Sequence, residues 1–487
     1  MKKIIYKIFI GLIAILLIIV VYLSTIGVKT DKFNSKIISQ IKKIEPNIEL
    51  RLNDVSVTLD LFDFGLNTKT IGPNLIYRDK IIKIETIKSN ISIKSFIKNK
   101  FALTGISIST KSVAIKDLIS FTRLFNNDPK LFILEQFIDN GYLVANLKLE
   151  FDELGNIKSN YKLNGLVRDG KINIIKRYDL NKINLIFEIN EKNFKFRDIN
   201  LLLNNKNILI PELIALKQNK EYLISGKLNN QKTSLIKNEI KDLINNDLLG
   251  LDIHEIIFSS KNKIKFIINK KFKVKNLDIE SNIDLGNLKL KNFLELKNIF
   301  PKIKKDIIFK NQKIKLKYKK NNLNIDGEGE VLIQNKIDKI KYEISTIKNE
   351  VKHNIIYVIK NNPFELDLIN YKKNIDSDLQ LNIQVRRNIK KKIKFFDLSL
   401  KEENNFINIK NLTLSNDNKI NDVSNINLKY TDKENLINNI EIIRKGNDYL
   451  ISGRSFNINS IIEKLLNSAS DKKTNFFNKN LKLIFDI

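Results

Sequence analysis

The sequence predicts a mainly β protein: an elongated, twisted antiparallel sheet curled into an open groove, with one N-terminal transmembrane helix and a few short helices. From residue 48 onward apolar and polar residues alternate with a period of two, which is typical of strands with one apolar face. One uncharged run near the N-terminus is long enough to cross a bilayer. The chain has only six prolines in 487 residues, so few backbone donors are lost from a long strand ladder.

The transmembrane helix is predicted over residues 8–28. Lys2, Lys3 and Lys7 precede this uncharged run, which reaches about 30 Å at roughly 1.5 Å per residue. A cleaved signal peptide is the alternative, but its apolar stretch is shorter, and the segment after Leu23 offers a poor cleavage site. The side chains expected to anchor the helix in lipid are Ile8, Leu12, Leu16, Ile19 and Leu23.

Four segments are expected along the chain. They are a cytoplasmic tail over 1–7, the anchor over 8–28, an N-terminal β-groove module with short helices over 29–125, and a body of repeated strands over 126–487. Because the last residues, 481–487, have the pattern of a strand interior, we expect a body truncated at its C-terminus. Short helices are predicted over 31–46, 92–98, 116–126, 129–139, 234–249, 292–300 and 459–467.

The alternating runs must bury one apolar face each. A closed sandwich or barrel is usually complete within about 250 residues, whereas here the same pattern continues to the end of the chain. We therefore expect one curled sheet with an apolar groove, and we keep a series of sealed sandwiches as the alternative. The candidate groove residues are Val55, Val57, Leu59, Ile264, Phe266, Ile268, Ile314, Leu316, Tyr318, Ile426 and Leu428.

The charge pattern argues against nucleic acid as a partner. The formal net charge is +31, but 75 of the 85 basic residues are lysines spread along the whole chain, and only 10 are arginines. Nucleic-acid-binding proteins cluster basic residues on one face and interleave aromatic side chains for stacking. We interpret the lysines as solvated strand faces that also attract anionic lipid surfaces.

No catalytic, metal-binding or cofactor-binding motif is present, so the protein is not expected to be an enzyme. There are no cysteines and only two histidines, His254 and His353, and they lack metal-ligand spacing. The acidic-glycine cluster Asp326–Glu330 could hold a cation, but its position between two apolar runs favours a hairpin turn.

The chain resembles the AsmA-like family of inner-membrane-anchored proteins, particularly its YhdP-type and TamB-type members. The similarity lies in the anchor, the strand pair over 48–61, the helix-to-strand segment over 91–115, and the strand-to-helix segments over 406–414 and 449–466. Membership would imply a β-groove in the Gram-negative periplasm, related to bridge-like lipid-transfer proteins.

The leading hypothesis is therefore passive conduction or chaperoning of phospholipid toward the outer membrane. Its partners would be phospholipid acyl chains and the inner membrane, with a single-pass anchor and the body in the periplasm. The alternative is an assembly factor that binds outer-membrane or periplasmic assembly proteins through exposed strand edges.

Overall fold

The computed structural model describes residues 2–31, 34, 35, 38, 42, 46–77, 80–98, 100, 102–125, 129–175, 178–219, 221–243, 252–269, 273–291, 296–347, 350–388, 393–414, 420–446, 448–468 and 483–486. The chain forms two compact units. Unit 1 consists of Met1–Leu228 with Ile267–Lys275, and unit 2 consists of Asn229–Phe266 with Asn276–Ile487. The predicted division into segments at residue 125 stays a prediction.

The predicted fold class is confirmed. Strands hold 65% of the residues and helices 15%, and the strands form a large antiparallel sheet that is not closed into a barrel. The helices are α1 (Lys2–Thr25), α2 (Ile93–Ile97), α3 (Ile115–Phe125), α4 (Pro129–Phe137), α5 (Lys237–Leu243) and α6 (Asn459–Ser468), with one 3-10 turn over Asp367–Ile369.

Unit 1 is a meander of consecutive strands. Its strands are β1 (Val28–Thr30), β2 (Ile48–Arg51), β3 (Val55–Asp60), β4 (Gly65–Ile71), β5 (Asn74–Tyr77), β6 (Lys80–Ser92), β7 (Leu103–Thr110), β8 (Val113–Ala114), β9 (Ile138–Glu150), β10 (Lys162–Ile175), β11 (Tyr178–Ile189), β12 (Asn193–Leu203) and β13 (Lys206–Gln218). The antiparallel order is β1-β3-β4-β6-β7-β9-β10-β11-β12-β13. Strand β2 pairs with β5, which pairs with the first residues of β6.

Three strands contain the boundary between the units: β14 (Glu221–Ile236), β15 (Ile253–Ile268) and β16 (Val274–Lys291). The further strands of unit 2 are β17 (Asp306–Lys319), β18 (Asn322–Leu332), β19 (Asp338–Ile347), β20 (Glu350–Ile359), β21 (Glu365–Leu366), β22 (Tyr371–Lys372), β23 (Leu379–Asn388), β24 (Ile393–Glu402), β25 (Asn405–Leu414), β26 (Ile420–Asp422), β27 (Asn425–Thr431), β28 (Ile437–Lys445), β29 (Asp448–Ser455) and β30 (Leu483–Asp486). They follow the order β16-β17-β18-β19-β20-β23-β24-β25-β27-β28-β29, and β30 is added in parallel to β29.

Local sequence explains the turns and short helices. Strands β17 and β18 are joined at Lys320-Asn321, where φ is 49° and 63°, the left-handed geometry of a tight hairpin turn. The hydroxyl of Ser92 accepts a hydrogen bond from the backbone N–H of Ser95 at 3.1 Å and caps α2.

Most predicted helices are confirmed, with corrections. Helices α2, α3, α4 and α6 match their predicted ranges within a few residues, while α5 covers the middle of the predicted range 234–249. The predicted helix over 31–46 lies largely outside the described residues, as do 292–295, and residues 296–300 form turns rather than a helix. The turns follow because Leu296 and Phe300 face the core of unit 2 and the chain bends to cover it.

The prediction of a hairpin turn at Asp326–Glu330 is wrong. These residues lie inside β18, paired with β17 on one side and β19 on the other. The glycines that suggested a turn instead make room for side chains from the neighbouring strands, as described below.

Candidate functional site

Unit 2 presents one apolar face made of rows that cross consecutive strands. Because successive side chains in a strand alternate between faces, residues that are paired in register share a face. Two rows cross six strands, from β16 to β23, a distance of about 24 Å at roughly 4.8 Å per strand. We call these two rows the apolar stripe: Ile283, Ile314, Gly327, Tyr342, Ile355 and Ile383, and Ser281, Leu316, Ile325, Ile344, His353 and Val385.

The opposite face of the same strands is polar. Across β17, β18 and β19, Lys315 lies opposite Asp326, which lies opposite Glu343. Lys313, Lys315, Lys317 and Lys319 are all exposed, whereas Ile314, Leu316 and Tyr318 between them are half-buried. Neighbouring residues along each of these strands therefore point to opposite faces of the sheet, one charged and the other apolar.

One end of the apolar face is sealed by the chain itself. Segments 296–303 and 363–371 pack over it and bury Val331, Ile359 and Leu379, each with no exposed surface. Five rings form edge-to-face contacts over this region, which we call the aromatic plug: Phe300, Tyr357, Phe364, Tyr371 and Tyr430, with neighbouring ring centroids 5.6–6.4 Å apart.

Buried polar groups hold the aromatic plug in place. The Tyr371 hydroxyl donates to the Glu402 carboxylate, which also bonds to the hydroxyl of Ser377. The Tyr357 hydroxyl donates to Asp338 at 2.7 Å, and the Lys373 ammonium donates to the carbonyls of Lys360 and Asn374 at 2.7 Å each. Burial, followed by the neighbouring carboxylate, raises the pKa of Tyr357 and of Tyr371, so both phenols stay protonated donors.

In contrast to the sealed end, the side chains of the apolar stripe are mostly half-buried. Ile314, Leu316, Ile325, Ile344 and Ile355 all keep part of their surface exposed. None of them belongs to a buried core cluster of the described residues. The apolar face thus continues from a filled core into a stretch that water still reaches.

Glycines shape the apolar stripe. A Cβ added to Gly327 would lie 2.2 Å from the Tyr342 ring, so this ring covers the glycine directly. A Cβ on Gly329 would lie 2.6 Å from the Gln312 amide nitrogen, which donates to the Glu330 carbonyl at 2.6 Å. Burial raises the pKa of Tyr342 to about 12, so the stripe stays uncharged at this position.

His353 is the one titratable imidazole of the apolar stripe. It is half-buried in β20, directly opposite Ile344 on one side and Val385 on the other. Burial and the nearby Arg387 guanidinium lower the pKa of His353, so the ring is neutral at pH 7. The other histidine, His254, lies 3.6 Å from a carboxylate oxygen of Asp252.

Unit 1 has its own apolar face. A row crosses nine strands, from β3 to β13: Val55, Thr70, Ile87, Ile108, Leu147, Leu163, Ile189, Phe194 and Ala215. Helix α3 covers one end, where Leu118 and Phe121 pack against Ile82 and Ile84. Most of the later members of the row, from Leu147 to Phe194, are half-buried.

The N-terminal helix is long and apolar enough to span a membrane. Helix α1 ends at Thr25, three residues before the predicted end of the anchor, because Val28 already belongs to β1. Of the predicted anchor residues, Ile8, Leu12, Leu16 and Ile19 are 51–63% exposed, while Leu23 is half-buried where α1 packs on β3. Tyr6 and Tyr22, near the two ends, are exposed as well.

The structure places the candidate groove residues in different surroundings. In unit 1, Val55 is buried and Val57, Leu59 and Ile268 are half-buried; in unit 2, Ile264 and Phe266 are half-buried. Ile314 and Leu316 lie in the apolar stripe, and Tyr318 continues it along β17. Ile426 and Leu428 pack into the core that the aromatic plug seals, so we leave them out of the surface proposed below.

Surface depressions of unit 2 lie on the polar face. One is lined by Asp284, Lys313, Lys315, Asp326, Glu328 and Lys341, and another by Asn354, Asn382, Gln384, Asp397 and Asn408. Within the described residues no group of three or more histidine and carboxylate side chains could hold a metal ion. The first depression is lined mainly by charged side chains and the second mainly by amide side chains.

Two features were missed by the sequence reasoning. The aromatic plug could have been suspected at Asn361-Asn362-Pro363, where the alternation stops and does not resume until residue 379. The turn after β3 was also missed: β3 ends at Asp60, so Leu61 lies in the turn and not in the strand. Its signal is the consecutive run Leu61-Phe62-Asp63-Phe64, which is unusually apolar for a turn.

Comparison with known proteins adds no family: no protein-family model matches the chain, and neither the curated proteins nor the solved structures gave a significant match.

Proposed function

We propose that this chain is a non-catalytic lipid-binding protein, anchored in the inner membrane by α1, that passes phospholipid acyl chains along its apolar faces toward the outer membrane. The observation that carries the proposal is the half-buried apolar stripe of unit 2, which lies back to back with a mostly polar surface. The resemblance to the AsmA-like family points to the same function and to a periplasmic body.

The physical chemistry of the stripe suits acyl chains. Mostly apolar side chains in continuous rows offer dispersion contacts along an acyl chain without fixing its position, since the polar groups in the rows are limited to Ser281, the Tyr342 phenol and the neutral His353. Carrying a 16-carbon chain through water costs about 12 kcal/mol at roughly 0.8 kcal/mol per CH₂. An apolar surface removes most of that barrier and needs no covalent chemistry.

Photocrosslinking of the full chain in membranes tests the proposal. A benzoylphenylalanine at Leu316 is expected to capture phospholipid, because this side chain lies in the stripe. The matched control is the same photoprobe at Lys315, the adjacent residue on the polar face, which is expected to capture far less lipid than the probe at Leu316. A second control at Leu428, under the aromatic plug, should also capture no lipid.

Two results would contradict the proposal. Equal lipid capture at Leu316 and Lys315 would mean adsorption to the whole surface rather than binding to the stripe. Capture of a protein in place of lipid would favour the alternative, an assembly factor for outer-membrane proteins.

A further inference from the structure

We propose that the turn between β3 and β4 docks into the headgroup region of the bilayer that α1 crosses. We call this turn the hairpin tip: Leu61, Phe62, Asp63 and Phe64. The inference rests on the anchoring part of the proposed function and not on lipid transfer. It follows from where the strand register places the tip, what the tip exposes and what surrounds it.

The register brings the hairpin tip to the side of β1 on which α1 lies. Strand β1 leaves the helix and pairs antiparallel with β3, with Thr30 opposite Val55 and Val28 opposite Val57. Strand β3 therefore runs back toward the helix, and α1 packs against it. The hairpin tip follows the end of β3 at Asp60, so it lies beyond Val57 in the direction of α1.

The hairpin tip points large apolar side chains into solvent. Phe62 is 99% exposed, Phe64 59% and Leu61 50%. A turn normally carries polar residues, and a cluster of exposed aromatic and aliphatic side chains normally marks an interaction site. Aromatic side chains are enriched where a protein meets the membrane–water interface, and Tyr22, near the end of α1 that leads into β1, is also exposed.

The tip keeps its shape without its apolar side chains. The Asp60 carboxylate accepts hydrogen bonds from the backbone N–H groups of Phe62 and Asp63 at 3.1 Å each. It also accepts one from the side-chain amide of Asn67 at 3.1 Å, which joins the tip to β4. Because these hydrogen bonds fix the turn, the turn does not need the aromatic side chain of Phe62 in order to form.

Helix α2 adds a basic and apolar border to the tip. The backbone N–H of Ile93 donates to the carbonyl of Phe64 at 3.2 Å, which holds α2 against the hairpin. Ile97 is 71% exposed, and Lys94 in this short helix and Lys98 directly after it are exposed as well. Exposed apolar side chains with lysines beside them fit a bilayer interface that contains anionic lipid.

Tryptophan fluorescence tests this inference, because the chain contains no tryptophan. The full-length Phe62→Trp protein is placed in vesicles of phosphatidylethanolamine and phosphatidylglycerol, in which some acyl chains carry bromine as a quencher. We expect its emission to shift to shorter wavelength and to lose intensity when the brominated lipid is present.

Two single-tryptophan controls calibrate the result. Tyr22→Trp in α1 should be quenched if the helix spans the bilayer. Ile71→Trp lies at the far end of β4 and replaces a side chain that is also exposed, at 58%, so it should emit as in water and stay unquenched.

Each other outcome overturns the inference. Quenching of Tyr22→Trp without quenching of Phe62→Trp would show that the tip stays in water while the anchor stands. Quenching at both Phe62→Trp and Ile71→Trp would mean that β4 lies flat on the lipid and that no tip-specific docking exists. An unquenched Tyr22→Trp would remove the anchor itself, and the anchoring part of the proposed function with it.

Discussion

Two glycines in the middle of β18 show how single residues shape the apolar face. Gly327 and Gly329 leave space that the Tyr342 ring and the Gln312 side chain fill from neighbouring strands. An aromatic ring lying over a strand glycine recovers contact area that the missing side chain would have supplied. The acidic residues on either side of Gly327 point to the other face, where Asp326 lies opposite Lys315 and Glu328 opposite Lys313. A composition typical of turns is thus compatible with a strand interior.

His353 makes the stability of unit 2 depend on pH. Burial lowers its folded pKa below the reference value of 6.5, so the unfolded chain binds a proton first as pH falls. Its contribution to the free energy of unfolding is therefore complete above pH 6.5 and declines as pH falls below that value. We expect the stability of the native protein to fall relative to the His353→Gln variant between about pH 7 and pH 5.

Thermal unfolding of both proteins over this pH range measures the effect. Every other titrating group is common to both chains and cancels in the difference. If the stabilities of the two proteins changed in parallel with pH across this range, the assignment of a lowered pKa to His353 would be contradicted.

At the scale of elements, the aromatic plug decides which part of the apolar face is available. Segments 296–303 and 363–371 seal one end of this face in unit 2, and the apolar stripe is the part that they leave partly exposed. Their backbones are tied together, since the N–H of Glu365 donates to the carbonyl of Ile299 at 3.1 Å. The plug is thus a built part of the fold and not a loosely placed loop.

Removal of one plug ring should destabilise unit 2 strongly. Phe364 is only 3% exposed, and a buried Phe→Ala substitution typically costs about 3–5 kcal/mol. We expect Phe364→Ala to speed hydrogen exchange in β23 and β24, measured by mass spectrometry. The matched control is Phe62→Ala, at a side chain that is 99% exposed, where a change within about 0.5 kcal/mol is expected. Equal exchange in both variants would show that the plug does not hold these strands.

The elements differ in how far sequence predicts them. Alternation predicts β17 well, because Ile314, Leu316 and Tyr318 are separated by exposed lysines. A start signal likewise marks α4, whose first residue is Pro129. The aromatic plug escapes such reasoning, because its rings meet through contacts between residues as distant as Phe300 and Tyr371. Periodicity also does not show that Leu316 is partly exposed while Leu428 is buried. It predicts which face of a strand is apolar, but not whether another segment covers that face.

For the whole molecule, the formal net charge of +31 acts separately from the apolar faces. We expect exposed lysines on the polar strand faces to attract anionic lipid through water, and salt to screen this attraction. We expect the full chain in neutral nanodiscs to bind anionic vesicles, and this binding should weaken steeply between about 0.05 M and about 0.5 M salt.

Lipid capture by the photoprobe at Leu316 should change little over the same salt range, because apolar contacts are not screened. Vesicle co-sedimentation measures the first quantity and crosslink yield the second. If vesicle binding and the crosslink yield at Leu316 fell together as salt is raised, charge alone would account for the bound lipid.

The junction between α1 and β1 has a mechanical consequence. Only Ile26 and Gly27 separate the helix from the first strand, and a Cβ on Gly27 would lie 2.3 Å from the carbonyl oxygen of Val57. Gly27 also has a φ of 70°, so the crossing tolerates no other residue without strain. With so short a connection, we expect the inclination of α1 and the inclination of β3 to be coupled. A torque applied to the first strands is then expected to reach the helix with little loss at the junction.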